Sequence, residues 1–336
     1  EMKTFKLNKY KAFTRFKKNI GNNNQFIITA LIGLKKISDE DKGKTKPAHW
    51  NPIDAKKAVD QSEIFIKKAG LVWTIDSLDV LLQEFFEEFF DYNDMFIKED
   101  NIYKLAAQEG YSSESYRFYK INSSVYRRFS VISNFLLERK NEISEFRKIS
   151  DYRNKKDNYY LPDLELVIAL VDLAIQWRNN LVHSNASNRL KPNTTRILIQ
   201  NKSILAQCSN GYGGLDIDET IERFKEGKHP RFKEVASLIR NTIDFGYILN
   251  AYWINSVDKS RLLNVELNEL FKNSPDNKIY KRIKSLTEPR RLNYVIQTLR
   301  TNGFSLEEID IDAKTDEEDI IQNYLQQLFS EKSNNF

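Results

Sequence analysis

Apolar residues recur at steps of three and four along most of this chain, the spacing of one face of an α-helix. Leu71, Ile75, Leu78, Leu82, Phe85 and Phe89 form a clean stripe that predicts a helix over 71–90. Pro52 opens a helix running to about Ala69, and Gly70 is expected to break or kink the chain between the two. A short helix is expected over 25–37, after a turn at Asn22–Asn24. Others are expected over 101–108, 123–146, 194–207 and 216–225. The last long one covers 231–257, where Val235, Leu238, Ile239, Ile243 and Leu249 keep register. No segment alternates convincingly with period two, so the pattern predicts an all-α fold.

The stretch 161–190 stands apart. Pro162 sits where a helix can start, and Asp163 and Glu165 follow in the first turn, where carboxylates suit the dipole. Leu166, Leu170, Leu173, Trp177 and Leu181 make a core-facing stripe. On the other side Ile168, Ile175 and Val182 step by seven. A helix apolar on two faces is either central in its domain or covered by a partner. Where it ends it turns polar, as Arg178-Asn179-Asn180, and His183 follows. A second irregularity lies opposite the 71–90 stripe, where Asp76 shares a face with Trp73 and Val80. An acid flanked by large apolar groups either meets a cation from another helix or sits at a helix rim.

Composition narrows the setting. A chain of 336 residues with 40% hydrophobic and 29% charged residues is long enough for one large domain or two ordinary ones. The net charge of +5 permits a nucleic-acid partner without demanding one. Lone Cys208 cannot form an internal disulfide, which suits a reducing, cytoplasmic location. No apolar run reaches the roughly 20 residues that span a bilayer, so no membrane association is expected. The N-terminus lacks the apolar segment of a signal peptide.

Three regions are expected. In 1–51, Lys3, Lys6, Lys9, Lys11, Arg15, Lys17 and Lys18 are interleaved with Phe5, Tyr10, Phe13 and Phe16. That is a basic arm for phosphates and bases or, preferred here, a surface helix packing its aromatics on the bundle. The helical domain itself spans 52–257. A helical extension, 258–336, carries the basic cluster Lys281, Arg282, Lys284, Arg290, Arg291 and Arg300. Glu307–Asp319 follows with eight acids and one lysine. The extension is either a module for RNA or a partner, or two oppositely charged elements that pack together.

Residue types then limit the chemistry. His49, His183 and His229 are scattered and Cys208 is alone, so no metal cluster of usual spacing is expected, and no cofactor. Nucleophile elbow, P-loop and HExxH motifs are all missing, and Gly211, Gly213 and Gly214 follow no strand. An arginine–histidine chemistry remains. On an ideal helix Asn179 and His183 share a face, and Arg178 lies roughly 140° from His183. The three polar groups ring the Ile168–Ile175–Val182 seam. If a second copy buries that seam across a two-fold axis, two arginines and two histidines face each other in one cleft. Such a cleft suits RNA cleavage. Histidine moves the protons of the 2′-hydroxyl and the leaving oxygen, and arginine holds the phosphate.

Arg178-Asn179-Asn180-Leu181-Val182-His183 resembles the RX4–6H motif of the HEPN superfamily, with a polar residue after the arginine as that family prefers. The resemblance covers about 52–257. It implies a HEPN-like bundle of four to five helices, extended here by further helices, and a composite, metal-independent endoribonuclease site in a homodimer. It also implies a place in bacterial antiphage defence or a toxin–antitoxin pair, where an inhibitor or partner protein can silence the enzyme. Arg178 and His183 would be catalytic, with Asn179 as the polar companion. Asp76 and Asn180 are candidate supports, and Arg153, Lys155, Lys156, Arg189 and Lys191 are candidate RNA contacts. Two other readings stand beside this one: a non-catalytic RNA- or nucleotide-binding module, and an interaction scaffold.

Overall fold

The fold is all-α, with one short sheet that the hydrophobic pattern did not announce. A computed structural model describes residues 3–43, 50–92, 124–143, 163–183, 189–207, 215–271, 278–310 and 316–330. Its elements are β1 (Lys3–Lys9), α1 (Lys11–Leu34), a 3-10 turn (Asp39–Asp41), α2 (Ala55–Tyr92), α3 (Val125–Glu138), α4 (Leu164–Val182), α5 (Pro192–Gln200), α6 (Lys202–Gln207), α7 (Ile217–Lys225), α8 (Phe232–Ser256), α9 (Lys259–Phe271), α10 (Lys278–Lys284), α11 (Glu288–Thr301), β2 (Ser305–Asp310) and α12 (Asp316–Ser330). The chain divides into two units. One gathers the described residues within Glu1–Arg15, Glu84–Tyr116 and Leu249–Phe336, the other those within Phe16–Gln83 and Arg117–Ile248. The expected helix 101–108 lies outside the described residues.

In the first unit β1 and β2 pair antiparallel, with Lys3 opposite Asp310 and Lys6 opposite Glu307. Residues 3–9 of the basic stretch thus meet the acidic run as a strand, and the expected surface helix begins only at Lys11, where Phe13 and Phe16 are buried and Lys17 and Lys18 face solvent. Phe5 and Leu7 alternate over too few residues to announce a strand, and the partner lies some 300 positions away. The other half of the acidic run opens α12. There buried Glu317 accepts from the Leu7 N–H at 3.3 Å and pairs with Lys259 at 2.8 Å. This acidic segment is therefore built into the extension, and is not a free tail. Tyr10 packs on Trp253 with ring centroids 4.0 Å apart, and its N–H donates to Asn250 Oδ1 at 3.0 Å.

The second unit holds α4 at its centre. Asp163 caps it by accepting from the Leu164 N–H at 2.8 Å. Lys140 spans Asp163 and Glu165, and those two hydrogen bonds, Glu165's first, raise its pKa. Leu166, Leu170, Leu173 and Trp177 are buried as the stripe required, and Leu181 is half-buried. Each such burial removes apolar surface worth about 1.5–3 kcal/mol. Of the second face only Ile175 is fully enclosed, and the neighbouring Val167 and Val171 are buried with it within the same chain. α3 and α5 pack on α4, and Asn241 of α8 donates to the Val167 carbonyl at 2.8 Å. Trp177 stands edge-on to Phe224, its Nε1–H reaching the Lys228 carbonyl at 3.3 Å.

Two expected interruptions do not occur. α1 runs through Asn22–Asn24 because Asn23 turns inward, donating to the Gly70 carbonyl at 2.9 Å and to Thr74 Oγ1 at 3.0 Å. α2 passes Gly70 without a break. A Cβ there would stand 2.2 Å from Ile27 Cδ1, so the glycine lets α1 lie close against α2. The helix expected over 194–207 is instead two, α5 and α6, divided at Asn201.

Candidate active site

α4 carries Arg178 on its last turn, on the side facing α2. The guanidinium Nη2 donates to Asp76 Oδ1 at 2.7 Å, and Nη1 to Asn179 Oδ1 at 3.3 Å. Asp76 thus meets a cation from another helix, one of the two alternatives its spacing left open. The pair is only partly sheltered, with Arg178 20% and Asp76 52% exposed, so solvent screens it. Arg178 Nε–H is buried and has no acceptor among the described residues. An orphan guanidinium donor is unusual in a folded chain, where nine in ten or so buried polar groups are paired.

His183 stands just past the end of α4. Its N–H closes the last helical turn on the Asn179 carbonyl at 2.8 Å, but its own backbone is extended, with φ −116° and ψ 115°. The ideal-helix angle to Arg178 therefore does not apply to the imidazole. Its side chain is exposed and, among the described residues, its ring makes no hydrogen bond. Asn179 braces the guanidinium, and Asn180 is half-buried beside it.

The seam expected to meet a symmetry mate is not a continuous exposed strip. Ile175 is fully buried and Ile168 half-buried; Val182 alone of the three is open to solvent. The periodicity located the apolar positions, but it could not tell burial by the chain's own helices from burial by a partner. Exposed apolar surface lies instead on α2 and α1, around Asp76. Trp73 is 47% and Val80 50% exposed, one turn to either side of the carboxylate. Phe26 of α1 is also exposed, with its ring 6.1 Å from that of Trp73. Phe26 lay within a predicted helix with no irregular spacing to single it out. Its neighbourhood becomes visible only once α1 lies along α2.

Of the candidate RNA contacts, Arg153, Lys155 and Lys156 lie outside the described residues. Arg189 is exposed ahead of α5, and Lys191 sits 4.6 Å over the Tyr126 ring. Among the described residues no group of three or more His, Cys, Asp or Glu could hold a metal ion, and no helix is long and apolar enough to cross a membrane. His229 is remote in sequence from the motif. Partial burial, then the Lys68, Arg223 and Lys67 cations, hold its pKa below the usual histidine value. Compared with known proteins, the chain matches no family model, no curated protein and no solved structure.

Proposed function

We propose that this protein is a HEPN-type endoribonuclease that cleaves RNA without a metal, through Arg178 and His183. The observation that carries the reading is the state of Arg178. It is clamped on two sides by Asp76 and Asn179, has a third donor unpaired, and lies five residues from an exposed histidine whose ring is unengaged among the described residues. A guanidinium already fixed by side chains loses little freedom when it binds a phosphate, and its delocalised charge suits the dianionic transition state.

The chemistry follows from RNA itself. The 2′-hydroxyl oxygen attacks the adjacent phosphorus, its proton passes to a neutral imidazole, and the bond from phosphorus to the 5′-oxygen breaks. A protonated imidazole supplies the proton the departing 5′-oxygen needs. The products are a 2′,3′-cyclic phosphate and a 5′-hydroxyl. Two imidazoles serve this best, and each chain offers one at this site. The active species is accordingly a homodimer that brings two copies of the motif together. Its contact face is Trp73, Val80 and Val182 around the Asp76–Arg178 pair, in place of the Ile168–Ile175–Val182 seam. A role in bacterial defence, with a partner protein to restrain the enzyme, belongs to the same proposal.

The second reading is a non-catalytic RNA-binding module, and the ion pair is what favours it. A carboxylate on Arg178 offsets the charge offered to a phosphate, as in a structural bridge. Incubation with total RNA in EDTA separates the two. Cleavage that disappears in Arg178→Ala and His183→Ala supports the nuclease, and RNA retention without cleavage supports the module.

A further inference from the structure

A cleft of about 780 Å³ lies beside the N-terminal half of α5, in the unit that holds the motif. Three cations line it: Arg189 from the segment ahead of α5, Arg196 from α5 and Lys225 from the end of α7. Among the described residues no carboxylate lines it. Among the described residues Arg189 and Lys225 have no ion-pair partner, and Arg196 donates only to the neutral Asn193 Oδ1, at 2.6 Å. Other cations of the same unit do find carboxylates, among them Lys202 with Asp218, Arg231 with Glu219 and Lys140 with Asp163. Three like charges converging on one unpaired cavity repel one another, and a polyanion relieves that cost.

The floor adds a second preference. Leu190, Pro192 and exposed Ile199 give the cleft an apolar side against which a base or sugar can lie. Lys191 at the N-cap of α5 provides no side-chain cap, so the first-turn amides and the positive end of the dipole add to the same field. Arg189 follows His183 by six residues, which span at most about 20 Å even when extended. That is within reach of one short strand.

We propose that this cleft is a phosphate-backbone site for single-stranded RNA, holding a strand whose scissile bond sits at Arg178 and His183. The location relative to cleavage rests on the nuclease reading; the binding itself does not. Mixed cationic and apolar walls fit a flexible single strand, whose bases are free to turn onto the apolar side, better than a duplex.

The test uses the full chain and a fluorescein-labelled 12-nucleotide 2′-O-methyl uridine strand, which has no nucleophile and so reports binding alone. Fluorescence anisotropy is followed from 50 to 300 mM salt. Replacing Arg189, Arg196 and Lys225 together by Ala should weaken binding at least tenfold at the lowest salt. It should also flatten the log–log salt slope by about 2, the counterion release expected of three contacts to a single strand. Lysine at 189 and 196 should keep the slope. All three side chains are exposed, so melting curves of the variants should overlay that of the unaltered chain. An unchanged affinity and slope in the triple variant overturns the site, as does tighter binding of an acidic peptide than of RNA. Cleavage of an all-ribose strand is measured separately. If the triple variant loses binding while no variant or unaltered chain cuts RNA, the cleft stands and the nuclease reading falls. If cutting is intact and binding is untouched, the reverse holds.

Discussion

Asp76→Ala is the substitution that best separates a positioning role from a structural one. The carboxylate it removes is 52% exposed and the guanidinium it holds 20% exposed. A pair so open to solvent contributes about 0–1 kcal/mol to stability. For a unit of a couple of hundred residues that is a fall in melting temperature of no more than about 4 °C. The catalytic consequence is larger. Without Asp76 the 2.7 Å contact is lost, and among the described residues Arg178 keeps only the longer 3.3 Å bond to Asn179. Displacing a catalytic group by an ångström or so costs on the order of 100-fold in rate. The expected result is a kcat for RNA cleavage reduced about 30- to 100-fold, with KM nearly unchanged. Asp76→Asn, which keeps an acceptor but no charge, should recover part of the loss. Single-turnover cleavage assays and thermal melts on the same samples decide it. An unchanged kcat would make Asp76 a rim residue with no positioning role, and a fall in melting temperature beyond about 10 °C would make the pair structural.

Other expectations follow from the same contacts. Arg128 is buried and binds Asp79 through Nε and Nη2 at 2.8 and 2.7 Å, so Asp79→Ala removes two charge-assisted bonds from a buried guanidinium. It should cost about 3 kcal/mol in urea unfolding, far more than Asp76→Ala, although both remove an Asp from α2. For His229 the sign is set by its lowered pKa: from near 6.5 downward the unfolded chain takes up the proton first. Stability should therefore fall as pH drops below 6.5 and level off below the folded-state pKa. His229→Gln should flatten that dependence, as read by urea midpoints at pH 7.5 and 5.5. Sedimentation should give twice the 39.6 kDa chain mass, and Trp73→Glu should shift the species to monomer while leaving the melt nearly unchanged. A monomeric unaltered chain that still cuts RNA would sink the composite site.

The parts of this fold that were readable from sequence are those in which neighbours in sequence decide burial. The Leu166–Trp177 stripe and the 71–85 stripe are core because a helix repeats every 3.6 residues, whatever covers it. Asp76 stood out for the same reason, as an acid on an apolar face. What could not be read depends on distant chain. Ile175 is covered by the protein's own helices, and nothing local separates that from a partner. Gly70 suggested a break because a missing side chain weakens a helix, but the close approach of Ile27 is what it serves. Asn22–Asn24 resembled a turn until the Asn23 amide found Gly70 and Thr74. β1 has only two alternating apolar residues, and the strand that completes its ladder, 305–310, lies some 300 positions away. At the candidate site the residue types were legible, whereas the clamp on Arg178 and the extended backbone of His183 were not.

Whether Arg178 and His183 cut RNA is decided by analysis of the products. The purified chain is incubated with a defined single-stranded RNA in EDTA, and the ends of the fragments are identified by mass spectrometry. The expected ends are 2′,3′-cyclic phosphate and 5′-hydroxyl, with rates reduced about 10²–10⁴-fold in His183→Ala and in Arg178→Ala while both variants stay folded. Fragments with 3′-hydroxyl ends, or cutting that persists at full rate in either variant, would contradict the nuclease reading.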